Sequence, residues 1–163
     1  MNEVNRTLYI PLYGKAAVSR RGIILRDEKA EEIWEKEGFP LKGKSKSKWL
    51  ALYMAMRSCV FDRWLKQKME QFPNSVILHL GYGMDSRILR VGKQGHLWFD
   101  VDFPEVIEQR KLHYGAIPGY AMVGADVRLP DWLNGIPGDR NAIVVMEGIS
   151  MYMTNQELKN LLN

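Results

Sequence analysis

The stretch Ser75-Val76-Ile77-Leu78-His79-Leu80-Gly81-Tyr82-Gly83 decides the fold. It is a short apolar run with Pro73-Asn74 before it and two glycines at its end. That is the pattern of a buried strand running into a tight turn. Three more runs of this kind follow. Gly95-His-Leu-Trp-Phe-Asp100 leads to Val101-Asp102, Tyr120-Ala-Met-Val-Gly124 leads to Ala125-Asp126, and Asn141-Ala-Ile-Val-Val-Met146 leads to Glu147-Gly148. Helical segments fill the gaps. One runs from Asp85 to about Val91. A second has Pro104 at its first position, followed by Val106, Ile107 and Arg110. The last opens on the capping box Thr154-Asn-Gln-Glu157, with Leu158, Leu161 and Leu162 expected inward. Strands alternating with helices predict an α/β fold around a parallel sheet of about four strands, with right-handed crossovers and Rossmann-type winding.

Upstream the periodicity is helical throughout. Asp27 can cap a helix reaching about Glu37, with Ala30, Ile33 and Trp34 on one face and Gly38 and Pro40 stopping it. Ser47 can cap a longer helix ending at Pro73-Asn74. Its Leu50, Tyr53, Met54, Val60, Phe61, Trp64 and Leu65 recur at helical spacing. The aromatic residues Trp49, Tyr53, Phe61 and Trp64 are expected in the core rather than on a substrate wall. Two parts are thus predicted: a helical N-terminal extension over 1–75 and a Rossmann-like cofactor-binding domain over 76–163.

Composition narrows the class. In 163 residues, 46% are hydrophobic and 26% charged, the balance of a globular chain. Cys59 is the only cysteine, which excludes an internal disulfide or a cysteine zinc site. It is expected as a core residue on an apolar helix. His79, His96 and His113 are too scattered for a metal cluster, so no metal is expected. His79, between Leu78 and Leu80, reads as packed. No apolar run nears the roughly 20 residues of a membrane helix, and the N-terminus does not resemble a secretory signal. A cytoplasmic protein without a membrane partner is the expectation. Residues 1–75 hold 15 basic and 9 acidic side chains, against 8 and 10 in 76–163. The alternating Lys42-Gly-Lys44-Ser-Lys46-Ser-Lys48 could contact phosphate, but Gly and Ser between the charges favour a solvated linker. No nucleic-acid partner is expected.

The chemistry lies where the strands end. In a parallel sheet these ends share one edge, the edge at which open α/β sheets bind ligands. Gly81 and Gly83 remove two side chains there, so a ligand can approach the backbone closely. Asp102, 21 residues past Gly81, stands where a carboxylate accepts both hydroxyls of a ribose. Asp126 can accept from an adenine amino group, and Glu147 faces the middle of the same groove. A dinucleotide needs G-x-G-x-x-G to rest its pyrophosphate on a helix N-terminus. Here the third glycine is missing and Asp85 would repel a phosphate. Adenosine without phosphate fits better, and S-adenosylmethionine is such a ligand. Its sulfonium and amino group suit an acidic groove, and only its carboxylate wants a base, for which Lys15 and Arg57 are candidates. Each acid also has a plainer reading. Asp102 could cap the next helix, Asp126 could close the turn before Arg128-Leu-Pro130, and Arg57 could pair with Asp62.

The stretches Leu80-Gly-Tyr-Gly-Met-Asp-Ser-Arg87, Trp98-Phe-Asp-Val-Asp-Phe-Pro-Glu-Val-Ile107, Gly124-Ala-Asp-Val-Arg128 and Glu147-Gly-Ile-Ser-Met-Tyr-Met153 resemble the leucine carboxyl methyltransferase family, which includes bacterial polyketide-type O-methyltransferases. Ile10-Pro-Leu-Tyr-Gly-Lys15 and Met56-Arg57…Phe61-Asp62 look like its N-terminal signature. The resemblance implies a class I S-adenosylmethionine-dependent O-methyltransferase that leaves S-adenosylhomocysteine as product. The acceptor would be a carboxylate or hydroxyl of a small molecule, polyketide-like, or of a peptide. By position, Lys15 and Arg57 would hold the methionine carboxylate, and Gly81 and Gly83 would line the methionine moiety. Asp102 would bind the ribose, Asp126 with Val127 the adenine end, and Glu147 the methionine amino group or the groove floor. No residue stands out as a general base. Members of the family continue past the fourth strand. The expectation is therefore an incomplete acceptor pocket, an uncovered fourth strand able to pair a second copy into a homodimer, and, as the alternative function, a non-catalytic cofactor-binding or assembly module.

Overall fold

The computed structural model describes residues 8–37, 41 and 46–163. The expected stop at Gly38 and Pro40, and Lys42 to Ser45 of the lysine-alternating run, lie outside the described residues. Two compact units form, one from residues 1–64 with 84–92 and the other from 65–83 with 93–163.

The first unit is helical. It holds α1 (Tyr9–Ser19), α2 (Glu28–Glu37), the part of α3 (Lys48–Gln71) up to Trp64, and the short α4 (Arg87–Val91). Asp27 caps α2 as expected: its Oδ1 accepts from Ala30 N at 2.9 Å. Ala30 and Ile33 are buried on the inner face of α2. Gly14 lets α1 approach α3 closely, because a Cβ there would lie 3.1 Å from Met54 Cβ and 3.2 Å from the Ala51 Cα. Val18, Leu25, Ala51 and Ala55 form one apolar core cluster of the unit, with Leu52 and Cys59 packed against it. Cys59 also donates to Ile24 O, and burial pushes its thiol pKa up, followed by the charge of Asp62.

The expectation for the aromatic residues of α3 needs correction. Ala51, Ala55, Ser58, Asp62, Leu65 and Met69 are buried, whereas Trp49 is 81% and Tyr53 56% exposed, and Val60 and Trp64 are exposed too. Phe61 is half-buried under the Arg87 guanidinium. Both stripes have helical period, so spacing alone does not say which one faces inward. Small residues and a paired carboxylate took the inner side because the helices there approach closely and Asp62 meets two arginines.

The second unit is a four-stranded, all-parallel sheet in the order β3-β2-β1-β4, with flanking helices. Its elements are β1 (Val76–Leu80), β2 (Leu97–Asp102), α5 (Pro104–Lys111), β3 (Tyr120–Gly124), a 3-10 turn (Pro130–Gly135), β4 (Ala142–Met146), a 3-10 turn (Ser150–Tyr152) and α6 (Asn155–Leu162). This is the α/β, Rossmann-like arrangement the sequence predicts. β1 is central and buried along its whole length. β2 starts two residues later than its sequence signal and runs on through Asp102, because the β1 register matches Leu80 with Val101. Val76, Leu78, Leu80 and Val101 form a core with Val127 and Trp132 on one sheet face. On the other face Ile77, His79, Trp98, Asp100, Ile143 and Val145 are buried. Among the described residues no helix is long and apolar enough to cross a membrane.

The capping box that opens α6 is present. Glu157 N donates to Thr154 Oγ1 at 3.2 Å, and Thr154 N donates to Glu157 Oε2 at 2.7 Å. Leu161 packs against the core, but Leu162 is 62% exposed, which corrects its expected inward position. Thr154→Ala should cost about 1 kcal/mol, read as a lower urea midpoint.

Candidate functional site

All four strands are parallel, so their C-terminal ends form one rim. β2 and β3 lie on one side of β1 and β4 on the other, which makes the gap between the ends of β1 and β4 the topological switch point of the sheet. Gly81 leaves β1 and Glu147 leaves β4 at that gap.

Gly81 has φ +60 and Gly83 φ +59, both in the left-handed region. A Cβ on Gly81 would lie 2.2 Å from Ile149 Cδ1 and 2.8 Å from its Cγ1, so the chain after β4 closes tightly on this turn. Asp102 fixes the same turn from the neighbouring strand. Its Oδ2 accepts from Gly83 N at 2.8 Å and its Oδ1 from Phe103 N at 2.8 Å. Asp102 therefore does not cap α5, whose N-cap is Phe103. Burial raises its pKa, and this outweighs the two backbone N–H bonds that pull it down. Each carboxylate oxygen keeps a second lone pair for a further donor.

Asp126 follows β3 and does close a turn: Arg128 N donates to its Oδ1 at 3.0 Å and Leu129 N to its carbonyl at 3.0 Å. Hydrogen bonds from the Arg128 side chain hold its carboxyl below the ordinary aspartate value. Arg128 also reaches Glu157 at 3.3 Å. The Val127 side chain belongs to the core, so its backbone is what it can offer a ligand. Glu147 is half-buried.

Beneath the rim lies a buried polar network that the sequence reading did not assign. Asp100, fully buried, accepts from Arg110 Nη2 at 2.8 Å, Tyr120 OH at 2.6 Å and Trp98 Nε1 at 2.7 Å, and pairs with His79 Nδ1 at 3.1 Å. His79 is thus packed, but as a member of this network. Burial alone would raise the Asp100 pKa, yet the Arg110 guanidinium, His79 and the Tyr120 hydroxyl together hold it below the ordinary value. The Arg110 guanidinium lies between the rings of Tyr82 and Tyr114, at 4.4 and 3.8 Å from their centroids. It also reaches the carbonyl of Gly83 at 3.5 Å. Tyr82, whose hydroxyl is buried without a hydrogen-bond partner among the described residues, has its pKa pushed far up by burial and then by Asp100, so its phenol is no base at neutral pH. A signal for this network was available in β2, where Trp98, Asp100 and Asp102 alternate with Phe99 and Val101 and therefore share one face.

In the helical unit, Lys15 Nζ is buried against Asp85 at 3.0 Å. Asp85 also meets Arg90 at 2.8 Å and Arg87 at 3.5 Å. Arg90 bridges to Asp27 and Asp62 at 2.7 Å each, and Arg87 meets Asp62 at 2.7 Å. Three carboxylates and three cations compensate one another, so Asp85 does not stand as a bare negative charge, and Asp62 is engaged by Arg87 and Arg90. Arg57 is half-buried on α3.

The family model for leucine carboxyl methyltransferase matches residues 11–163. Over 161 residues the chain is 32% identical to the tetracenomycin polyketide synthesis O-methyltransferase TcmP of Streptomyces glaucescens, covering 98% of this chain and 60% of that protein. Over 128 residues it is 34% identical to the S-adenosyl-L-methionine-dependent methyltransferase dpfgK of Gibberella zeae, covering 73% of this chain and 43% of that protein. The chain thus spans at most three-fifths of the length of these relatives.

Proposed function

Because this chain belongs to the leucine carboxyl methyltransferase family, we propose that it binds S-adenosylmethionine along the C-terminal rim of its sheet and serves methyl transfer to an oxygen of a small-molecule acceptor. The observation that carries this reading is the chemistry of the rim. A left-handed glycine turn leaves β1 at this rim, and carboxylates stand at the end of β2 and just after β3 and β4. Strand-end carboxylates suit adenosine and a sulfonium better than a pyrophosphate. The described residues therefore fit the cofactor.

In this reading Asp102 uses its free lone pairs on the ribose hydroxyls, and its bonds to Gly83 and Phe103 hold it in place for them. Asp126 and the backbone at Val127 take the adenine end. Gly81 and Gly83 line the methionine moiety, and Glu147 meets its amino group. Lys15 and Arg57 are assigned to the methionine carboxylate on the motif alone. When bound, the cofactor supplies an electrophilic methyl group, whose bond to sulfur breaks as a bond to the acceptor oxygen forms. The chain's part is alignment and exclusion of water. A carboxylate acceptor is already ionised and needs no base.

A second reading is cofactor binding without turnover. It differs from the first because turnover needs an acceptor pocket as well as a cofactor site. Calorimetry separates the outcomes. Heat with S-adenosylmethionine and S-adenosylhomocysteine supports a cofactor site, and methyl transfer to carboxyl or hydroxyl acceptors then decides between the readings. Absence of heat from folded protein with both ligands would refute the cofactor site. Asp102→Ala is expected to weaken binding by about 1–3 kcal/mol, the cost of leaving polar partners unpaired. An unchanged dissociation constant would remove Asp102 from the site.

A further inference from the structure

We propose that Arg110 is a positioning residue for cofactor binding: its guanidinium ties the Tyr82-Gly83 turn to β2 and β3 from beneath the rim. The inference rests on the cofactor reading above. The three nitrogens of the guanidinium each reach a different element. Nη2 donates to Asp100 on β2 at 2.8 Å, Nε to the Tyr120 hydroxyl on β3 at 3.0 Å, and Nη1 to the carbonyl of Gly83 at 3.5 Å. The last contact is the longest, but a full charge in a buried site attracts a carbonyl over such a distance. The ring of Tyr82, in the same turn, adds a second hold on the guanidinium, with its centroid at 4.4 Å. Tyr114 covers the group at 3.8 Å, and Arg110 is fully buried.

Gly83 is therefore held at both of its backbone groups. Its N–H goes to Asp102 and its carbonyl to Arg110. The carboxylate assigned to the ribose shares this one small residue with a buried cation, so a shift of the guanidinium moves the turn and Asp102 together. The charge works in the same direction. Arg110 and His79 both favour the ionised form of Asp102 against its burial. An ionised carboxylate only accepts hydrogen bonds, which is what ribose hydroxyls ask of it. A counter-charge for Asp100 alone would need no more than an ammonium. A planar fork is what reaches three directions at once and still stacks between two rings. The Tyr82 hydroxyl agrees with this. It has no hydrogen-bond partner among the described residues, so the ring is the part of Tyr82 that the turn uses.

Two readings on the whole chain test the proposal: calorimetry with S-adenosylmethionine and S-adenosylhomocysteine, and hydrogen exchange of the Gly83 amide without ligand. Arg110→Lys keeps the charge opposite Asp100 and loses the fork. It should raise both dissociation constants about tenfold, the size of one lost hydrogen bond, and speed the Gly83 amide by about the same factor. Val76→Ala, a buried truncation at the opposite end of β1, should lower stability and leave both readings at the parent values. Tyr120→Phe removes the hydroxyl that joins Arg110 to β3 and keeps the charge pair, so it should show both changes at about threefold. If Arg110→Lys fails to fold, Tyr120→Phe decides. The proposal falls if the folded Arg110→Lys chain binds both ligands as the parent does, if its Gly83 amide keeps the parent rate, or if Val76→Ala moves both readings as far. No heat from the parent with either ligand would end the cofactor reading and this assignment with it. Parent heat with unshifted Arg110→Lys binding ends this assignment alone.

Discussion

Asp100→Asn should lower the unfolding free energy by about 3–5 kcal/mol, because it leaves the Arg110 guanidinium fully buried without its counter-charge. Asparagine has nearly the size of aspartate and keeps one acceptor, so packing against Trp98 and His79 changes little and the loss is electrostatic. Arg110→Met should cost a comparable amount by stranding Asp100. The double variant should lose clearly less than the sum, since each half removes what the other left uncompensated. Urea unfolding of the four proteins closes the cycle. Additive losses, or an Asp100→Asn variant within 1 kcal/mol of the parent, would show that the pair is not coupled as its 2.8 Å contact requires. The pH dependence has a definite sign. The Asp100 pKa is depressed in the fold, so its contribution is complete above the ordinary aspartate value, about 3.9, and is lost as pH falls through its folded value. Asp102 is raised, so its ionisation opposes folding as pH rises through its folded value. In Asp100→Asn the loss of stability below about pH 4 should therefore flatten.

Gly81→Ala should be nearly as damaging, for a different reason. The left-handed backbone costs an alanine about 1–2 kcal/mol. The new Cβ also meets the Ile149 side chain at 2.2 and 2.8 Å, and overpacking of this kind adds about 1–3 kcal/mol. Ile149→Ala in the same chain removes the second cost but not the first. The double variant should thus be more stable than the two single losses predict, and a strictly additive pair would rule out the contact. Since Asp102 is tied to Gly83 N, displacement of the turn should, on the proposed function, also weaken S-adenosylmethionine binding, measured by the same calorimetry.

Legibility followed the range of the interactions. The β1 run, the capping box at Thr154 and the Asp27 cap depend on neighbours within a few residues, and they stand where local pattern put them. The inward face of α3 depends on Gly14 and on two arginines beyond β1, so its two apolar stripes looked alike in sequence and the aromatic one was wrongly placed inside. Of the rim residues, Asp102 holds Gly83 N through its carboxylate, and Gly81 N donates to the carbonyl of Val101 beside it. Asp126 closes its own turn, and the side chain of Val127 joined the core. The network around Asp100 was missed because a lone acid in a strand reads the same whether it faces a ligand or a buried guanidinium.

By itself the sequence determined a parallel α/β sheet with glycines and acids at its strand ends, because alternation, caps and strand-end residues are written locally. Tertiary structure decided which acids are already engaged: Asp85 by Lys15 and Arg90, and Asp100 by Arg110. It also decided which face of α3 is buried. Those outcomes turn on charge compensation and close approach between segments far apart in the chain, and no local pattern records such pairings.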